Sequence, residues 1–181
     1  MNIYKIADSG NDEFYTPEYA VEPILKYVKQ NSIIWCPFDT EESNFVKRLS
    51  KEGHKVLYTH KNNNEDFFKI TRDCDYIISN PPYSLKGPVL ERLFSLGIPF
   101  AMLMSVSGLF ESQKRFQMFK ANDFEVMYLN KRVSYFKDFS EQGPSPNPPF
   151  LSVYICSHML PRQIVFEEIQ KVNKRRKQWK H

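Results

Sequence analysis

The sequence predicts a single α/β domain built on a mostly parallel β-sheet with an antiparallel edge. Three observations carry that prediction. Short β-rich apolar runs alternate with helix-period segments along most of the 181 residues. Some of the runs are apolar almost throughout, as expected of strands covered on both faces. The last two runs follow one another with no helical pattern between them.

Taken in order, residues 32–38 (SIIWCPF) read as the first strand. A helix over 41–52 places Phe45, Val46 and Leu49 at helical spacing, and Gly53 stops it. Residues 55–59 (KVLYT) and 75–79 (DYIIS) are the second and third strands. A helix over 88–96 carries Val89, Leu90, Leu93 and Leu96 on one face and closes on Gly97. A strand over 100–106 (FAMLMSV) and a helix over 111–120 follow, and runs at 125–130 and 151–156 complete the strands. Strands separated by short helices imply right-handed βαβ crossovers and a parallel sheet. Only a loop over 137–149 joins the last two strands, which makes them an antiparallel pair. The expected organisation is one domain over 1–170 and a basic tail over 171–181.

Composition narrows the function classes. At 41% hydrophobic and 15% aromatic, the chain is neither disordered nor membrane-like. No apolar run approaches the roughly 20 residues a bilayer requires, and the first residues lack the apolar stretch of a secretory leader. Cys36, Cys74 and Cys156 are few, scattered and without CxxC spacing, which fits a reducing cytoplasm. Cys36 and Cys156 fall in predicted strands, where a buried, inert thiol is expected. His54, His60, His158 and His181 have no metal-ligand spacing, so no metal site is expected. The net charge of +4 is modest, but Lys171, Lys174, Arg175, Arg176, Lys177 and Lys180 crowd one end. That segment is either a phosphate contact or a solvated tail.

The chemistry concentrates at Asn80-Pro81-Pro82-Tyr83, directly after the third strand. Ligands of open α/β sheets bind at the carboxyl ends of strands. An exocyclic amine is a poor nucleophile because its lone pair is delocalised into the ring. The Asn80 amide oxygen and the Pro81 carbonyl can each accept one of its N–H groups, favouring a pyramidal nitrogen and the positive charge that develops on attack. Pro81 and Pro82 stiffen the turn and remove competing donors. Tyr83 offers a flat face for a base, worth about 1–3 kcal/mol. A second copy, Asn147-Pro148-Pro149-Phe150, precedes a strand and is read as loop facing the substrate. Ser105-Val106-Ser107-Gly108 ends a strand at the same edge, either as pocket lining or as a plain turn.

These residues resemble the small adenine-specific N6 methyltransferases of phages and prophages, over roughly 14–156. The resemblance implies a Rossmann-like, S-adenosylmethionine-dependent methyltransferase fold. Tyr15-Thr16-Pro17 resembles that family's N-terminal cofactor motif, which implies contact with the methionine part of S-adenosylmethionine. Glu65-Asp66-Phe67-Phe68 resembles its Asp-x-Phe motif, which implies that Asp66 accepts from the cofactor's adenine and Phe67 packs on the ring. Asn80 to Tyr83 matches the catalytic motif in full. The first-strand motif departs from the pattern: Cys36-Pro37-Phe38-Asp39-Thr40-Glu41-Glu42-Ser43-Asn44 contains no glycine. Pro37, Phe38 and Asp39 stand where cofactor contacts are expected, and Asp39 takes the place of the usual acid. The second strand ends at Thr59-His60, without the acid that normally serves the ribose.

The implied activity is methyl transfer from S-adenosylmethionine to N6 of adenine, with DNA favoured over RNA. Few residues remain outside the core for target recognition: either specificity is low, a partner or second protomer supplies it, or the 137–149 loop and the basic tail do the reading. The rival reading, favoured by the missing glycines, is a methyltransferase fold that binds nucleic acid or protein without catalysis.

Overall fold

The computed structural model describes residues 15–136 and 150–171. The tail over 172–181 and the whole 137–149 loop, with the Asn147-Pro148-Pro149 part of the second motif, lie outside the described residues.

Among the described residues seven strands form one sheet in the order β2-β1-β3-β4-β6-β5-β7. They are β1 (Ile33–Cys36), β2 (Lys55–Tyr58), β3 (Tyr76–Ser79), β4 (Phe100–Ser105), β5 (Glu125–Leu129), β6 (Ser152–Ser157) and β7 (Ile164–Glu167). The pairs β1–β2, β1–β3, β3–β4 and β5–β7 are parallel, while β6 runs antiparallel to both β4 and β5. The mostly parallel sheet with its antiparallel side is therefore as predicted. Strand β7, which the sequence pattern did not disclose, extends that side beyond β5.

Four helices flank the sheet among the described residues: α1 (Glu18–Leu25), α2 (Asn44–Lys51), α3 (Lys86–Leu96) and α4 (Gln113–Ala121). Ser43 caps α2 by accepting from the Phe45 N–H at 3.2 Å, and Ser112 caps α4 by accepting from Arg115 N–H at 3.3 Å. Gly97 ends α3 in the left-handed region, at φ 65°, as expected of a C-terminal glycine.

Alternation along each strand divides the core in two. On one face Ile34, Ile78, Ala101, Leu103 and Tyr154 meet Ala20, Val21 and Ile24 of α1 and Phe45 and Leu49 of α2. On the other, Trp35, Ile77, Phe100, Met102 and Ile155 meet Val89, Leu90 and Leu93 of α3 and Phe119 of α4. Each such side chain, fully buried, contributes about 1.5–3 kcal/mol. Arg48 of α2 ties the two helices of the first layer together. It bonds Glu22 twice, at 2.6 and 3.0 Å, and reaches Glu52 at 3.0 Å. This clamp sets where the residues just before α1 meet the start of α2.

Cys36 and Cys156 are buried free thiols, and burial pushes both well above the ordinary thiol range. Among the described residues no helix is long and apolar enough to cross a membrane.

Candidate active site

Strands β1, β2, β3 and β4 all run in one direction, so their carboxyl ends share one edge of the sheet. Asn80 follows Ser79, the last residue of β3. Its side-chain Nδ2 donates to Thr16 Oγ1 at 3.1 Å, joining positions 64 residues apart. Thr16 is only 4% exposed, and its carbonyl accepts from Asn44 Nδ2 at 2.8 Å. The preceding Tyr15 is bridged to Phe136 by two backbone bonds of 3.0 and 2.9 Å. Pro17 then stands at the N-cap of α1. The two sequence motifs thus meet: Tyr15-Thr16-Pro17 is strapped across the end of β3, against the turn that carries Asn80.

Pro81 is buried, and Tyr83 opens a short 3-10 turn, Tyr83–Leu85, that leads into α3. The Tyr83 ring meets Tyr135 and Phe150 edge-on, at centroid distances of 6.1 and 5.2 Å. Its hydroxyl faces inward, beside the side chains of Tyr135, Ser152 and Asn80. Tyr135 and Ser152 are themselves hydrogen-bonded at 2.7 Å. Burial pushes the Tyr83 hydroxyl well above the usual phenol range, with Tyr135 adding to the effect. Burial thus favours the neutral hydroxyl. Lys86 Nζ lies 5.5 Å from the Tyr83 ring centre and donates to the Ser107 carbonyl at 2.7 Å. The Ser105 to Gly108 turn is thereby drawn to the same site. Inside it, Ser105 Oγ accepts from Ser107 N–H at 3.2 Å, and Gly108 takes φ 68°.

Sequence reasoning missed Tyr135, Ser152, Lys86 and Asn44. No local spacing links any of these four to Asn80. Phe150, the aromatic of the second Asn-Pro-Pro copy, packs on Tyr83 and Tyr135.

The expected cofactor side is built differently. Pro37 is buried and Asp39 is 8% exposed. Asp39 accepts from Ser43 Oγ through one oxygen and from Ser79 Oγ through the other. Burial raises its carboxyl to about 6, against which the two serine bonds pull downward. The carboxylate thus pins the loop after β1 to the start of α2 and to the residue before Asn80. Phe67 is 2% exposed, with its ring 5.5 Å from Trp35, 4.9 Å from Phe38 and 5.3 Å from Phe68. Arg92 lies 5.3 Å from its centre. No open face of Phe67 remains for a ligand, whereas Phe38 and Phe68 are half-buried. Asp66 accepts from the Phe68 N–H at 3.0 Å. Thr59, at the end of β2, accepts from Trp35 Nε1 at 2.9 Å. At the expected methionine end the polar groups of Thr16 and Asn44 suit a zwitterion, whereas the exposed Glu42 is paired with Lys47 at 2.9 Å. At the adenosine end the fit rests on Phe38, Phe68 and the carboxylate of Asp66.

No protein-family model matches the chain, and no curated protein matches it by sequence. Solved structures do match. A Pyrococcus horikoshii protein assigned as an RNA methyltransferase superposes with a TM-score of 0.52 at 11% identity, covering 88% of this chain and 99% of that one. This chain has the Rossmann-like methyltransferase fold. Two larger proteins are also similar: a modification subunit assigned to a type I restriction enzyme from Vibrio vulnificus, and a type I restriction-modification methyltransferase subunit from Streptococcus thermophilus. Their TM-scores are 0.49 and 0.49, with identities of 13% and 14% over 96% and 90% of this chain. This chain spans about half the length of each, 50% and 49%.

Proposed function

We propose that the chain transfers a methyl group from S-adenosylmethionine to an exocyclic amine, N6 of adenine in DNA being the favoured acceptor. The observation that carries this reading is the Asn80 amide, held by Thr16 at the carboxyl end of β3 beside the Tyr83 wall. S-adenosylmethionine supplies an electrophilic methyl group on sulfur. Asn80 Oδ1 and the Pro81 carbonyl accept the two N–H groups of the amine and so expose its lone pair. Pro82 keeps the turn rigid. Tyr83, backed by Tyr135 and Phe150, walls the base, and Lys86 stands next to it as a cation for the base's own phosphate. A base in duplex DNA must leave the stack to reach this edge. On the cofactor side we assign Tyr15, Thr16 and Pro17 to the methionine portion, and Pro37, Phe38, Asp39, Asp66 and Phe67 to the adenosine end. Asp39 and Phe67 act there from beneath, by shaping the loop and supporting Phe38. A second protomer or a partner would complete target recognition, and the reducing cytoplasm is the expected compartment.

The test is transfer of a labelled methyl group to single-stranded and duplex DNA and to RNA, followed by nucleoside digestion and chromatography. Label in N6-methyladenosine species supports the reading. Label absent from all three substrates, with cofactor bound, overturns it.

A second reading draws on the closed adenosine end: a methyltransferase scaffold that binds nucleic acid without catalysis. The buried Phe67 and the doubly bonded Asp39 favour it. Calorimetric titration with S-adenosylmethionine separates the two, since the scaffold reading predicts no heat up to millimolar cofactor.

A further inference from the structure

Strand β7 ends the sheet beyond β5, and its outer edge pairs with no other strand among the described residues. Its pairing with β5 fixes which backbone groups point outward. The Gln163 and Glu167 carbonyls accept from the Val126 and Asn130 N–H groups at 2.7 and 3.0 Å. Backbone polar groups alternate in direction along a strand, so those of Ile164 and Phe166 are turned to the open edge. The Ile164 and Phe166 side chains share one face, and both are exposed. Tyr128, opposite Phe166 in the register with β5, is exposed on that face too, with its ring 5.8 Å from the Phe166 ring. Natural edge strands are commonly blunted by a central charge or a proline. Residues 163–166 contain neither.

We propose that this edge pairs with β7 of a second copy of the chain, antiparallel and about a two-fold axis at Val165. The strand's own sequence favours a copy of itself. The outward backbone groups belong to alternate residues, so the ladder forms only where even-numbered residues stand against even-numbered ones. With the axis at Val165, Ile164 of each copy lies opposite Phe166 of the other, and each such pair exchanges two N–H···O=C bonds. The flanking Arg162 and Glu168, both exposed, then stand opposite one another on each side of the axis. Apolar pairs and opposite-charge pairs are the favourable cross-strand neighbours. An axis at Ile164 would set Phe166 against Arg162, and an axis at Phe166 would set Ile164 against Glu168. Because β6 runs antiparallel to both β4 and β5, β7 has the direction of β4. An antiparallel seam therefore turns the carboxyl edges of the two sheets opposite ways, and the second copy adds nothing to the first copy's candidate site. The proposal is thus independent of the methyl-transfer reading.

The test is sedimentation equilibrium of the purified full chain, with far-UV circular dichroism and thermal melting to show that each variant is folded. The wild type should dimerise with a dissociation constant of roughly 10 µM or tighter. Phe166→Lys, at an exposed position, should keep the fold and weaken the dimer roughly 100-fold or more. Arg162→Glu and Glu168→Arg each set like charges together at two places, so each alone should weaken it about 10-fold. The double variant Arg162→Glu/Glu168→Arg restores the opposite charges and should return to within about threefold of the wild type. A wild type that stays monomeric at about 100 µM overturns the proposal, and the face then belongs to another partner or to the chain's own last residues. A dimer indifferent to Phe166→Lys lies elsewhere on the molecule and overturns it as well. Single charge reversals without effect, or a double variant that fails to recover, defeat the register centred on Val165 and with it the proposal.

Discussion

The ends of β3 and β1 lie side by side in the sheet, yet they use their polar groups in opposite ways. At the end of β3, Asn80 is held through one arm of its amide and Tyr83 is walled by two aromatic rings. At the end of β1, Asp39 has both oxygens engaged by serines of its own chain, and Phe67 below it is closed in by three aromatics and an arginine. On the reading proposed above, the end of β3 would receive the acceptor, while Asp39 at the end of β1 is used for bonds within the chain. Ser79 joins them, since its hydroxyl bonds Asp39 and its neighbour in sequence is Asn80. The glycine-free loop after β1 thus carries a carboxylate turned inward, bonded to the last residue of β3.

Substitutions at four positions, Phe67, Asn80, Asp39 and Ser43, test this contrast, in descending order of effect. Phe67→Ala should cost about 3–5 kcal/mol of unfolding free energy in urea, because the ring fills core between Trp35 and Phe38. Phe67→Leu should keep cofactor affinity within about twofold if the ring supports rather than stacks. Asn80→Ala should leave the fold intact and lower methyl-transfer kcat by roughly 10²–10³, about 2.7–4 kcal/mol, the scale for removing one preorganised group at a developing charge.

The third concerns pH. Asp39 is raised from 3.8 to about 6 in the folded chain, so the native state holds its proton more tightly than the unfolded one. Its contribution to stability is complete below about 3.9 and is lost as pH rises through about 6. At 1.36 kcal/mol per pH unit that gap amounts to about 3 kcal/mol at most. Asp39→Asn can still bond both serines and has no proton to exchange. The stability of the wild type minus that of Asp39→Asn, measured by denaturant titration between pH 4 and 7, should fall as pH rises. A flat difference would mean that the carboxylate is better solvated than its burial indicates.

Much of the fold was legible because the central strands are covered on both faces and so read as apolar runs: the Tyr-Ile-Ile-Ser of β3 and the Phe-Ala-Met-Leu-Met-Ser of β4. Strand β7 was not, because it is short and its outward residues, Ile164 and Phe166, are apolar but 53% and 75% exposed. That pattern gives no alternation of buried apolar and exposed polar residues to detect. Asn80 to Tyr83 and Tyr15 to Pro17 were visible as local strings, and the fold brings them together. Their companions were not. Tyr135 and Ser152 reach Tyr83, and Asn44 reaches Thr16, only through tertiary contact. The inward turn of Asp39 depends on Ser79, 40 residues away, and no spacing rule predicts it.

Ser43 gives the smallest and most discriminating effect, since one hydroxyl serves both regions. It caps α2 by accepting from Phe45 N–H at 3.2 Å and donates to Asp39. Ser43→Ala should lose about 1 kcal/mol, the ordinary cost of an N-cap. It also removes a donor that favours the ionised carboxylate, so the Asp39 midpoint should move above about 6. The sign separates the two roles. A cap alone predicts a loss that is the same at every pH. A cap that also holds Asp39 predicts a loss that is smaller at pH 4, where the carboxyl is protonated in the native state with or without Ser43, and larger at pH 7. Carbon-13 NMR of the Asp39 carboxyl across that range reads the midpoint directly. A midpoint unmoved by Ser43→Ala would leave Ser79 as the partner that matters, and with it β3 rather than α2 as the element that Asp39 secures.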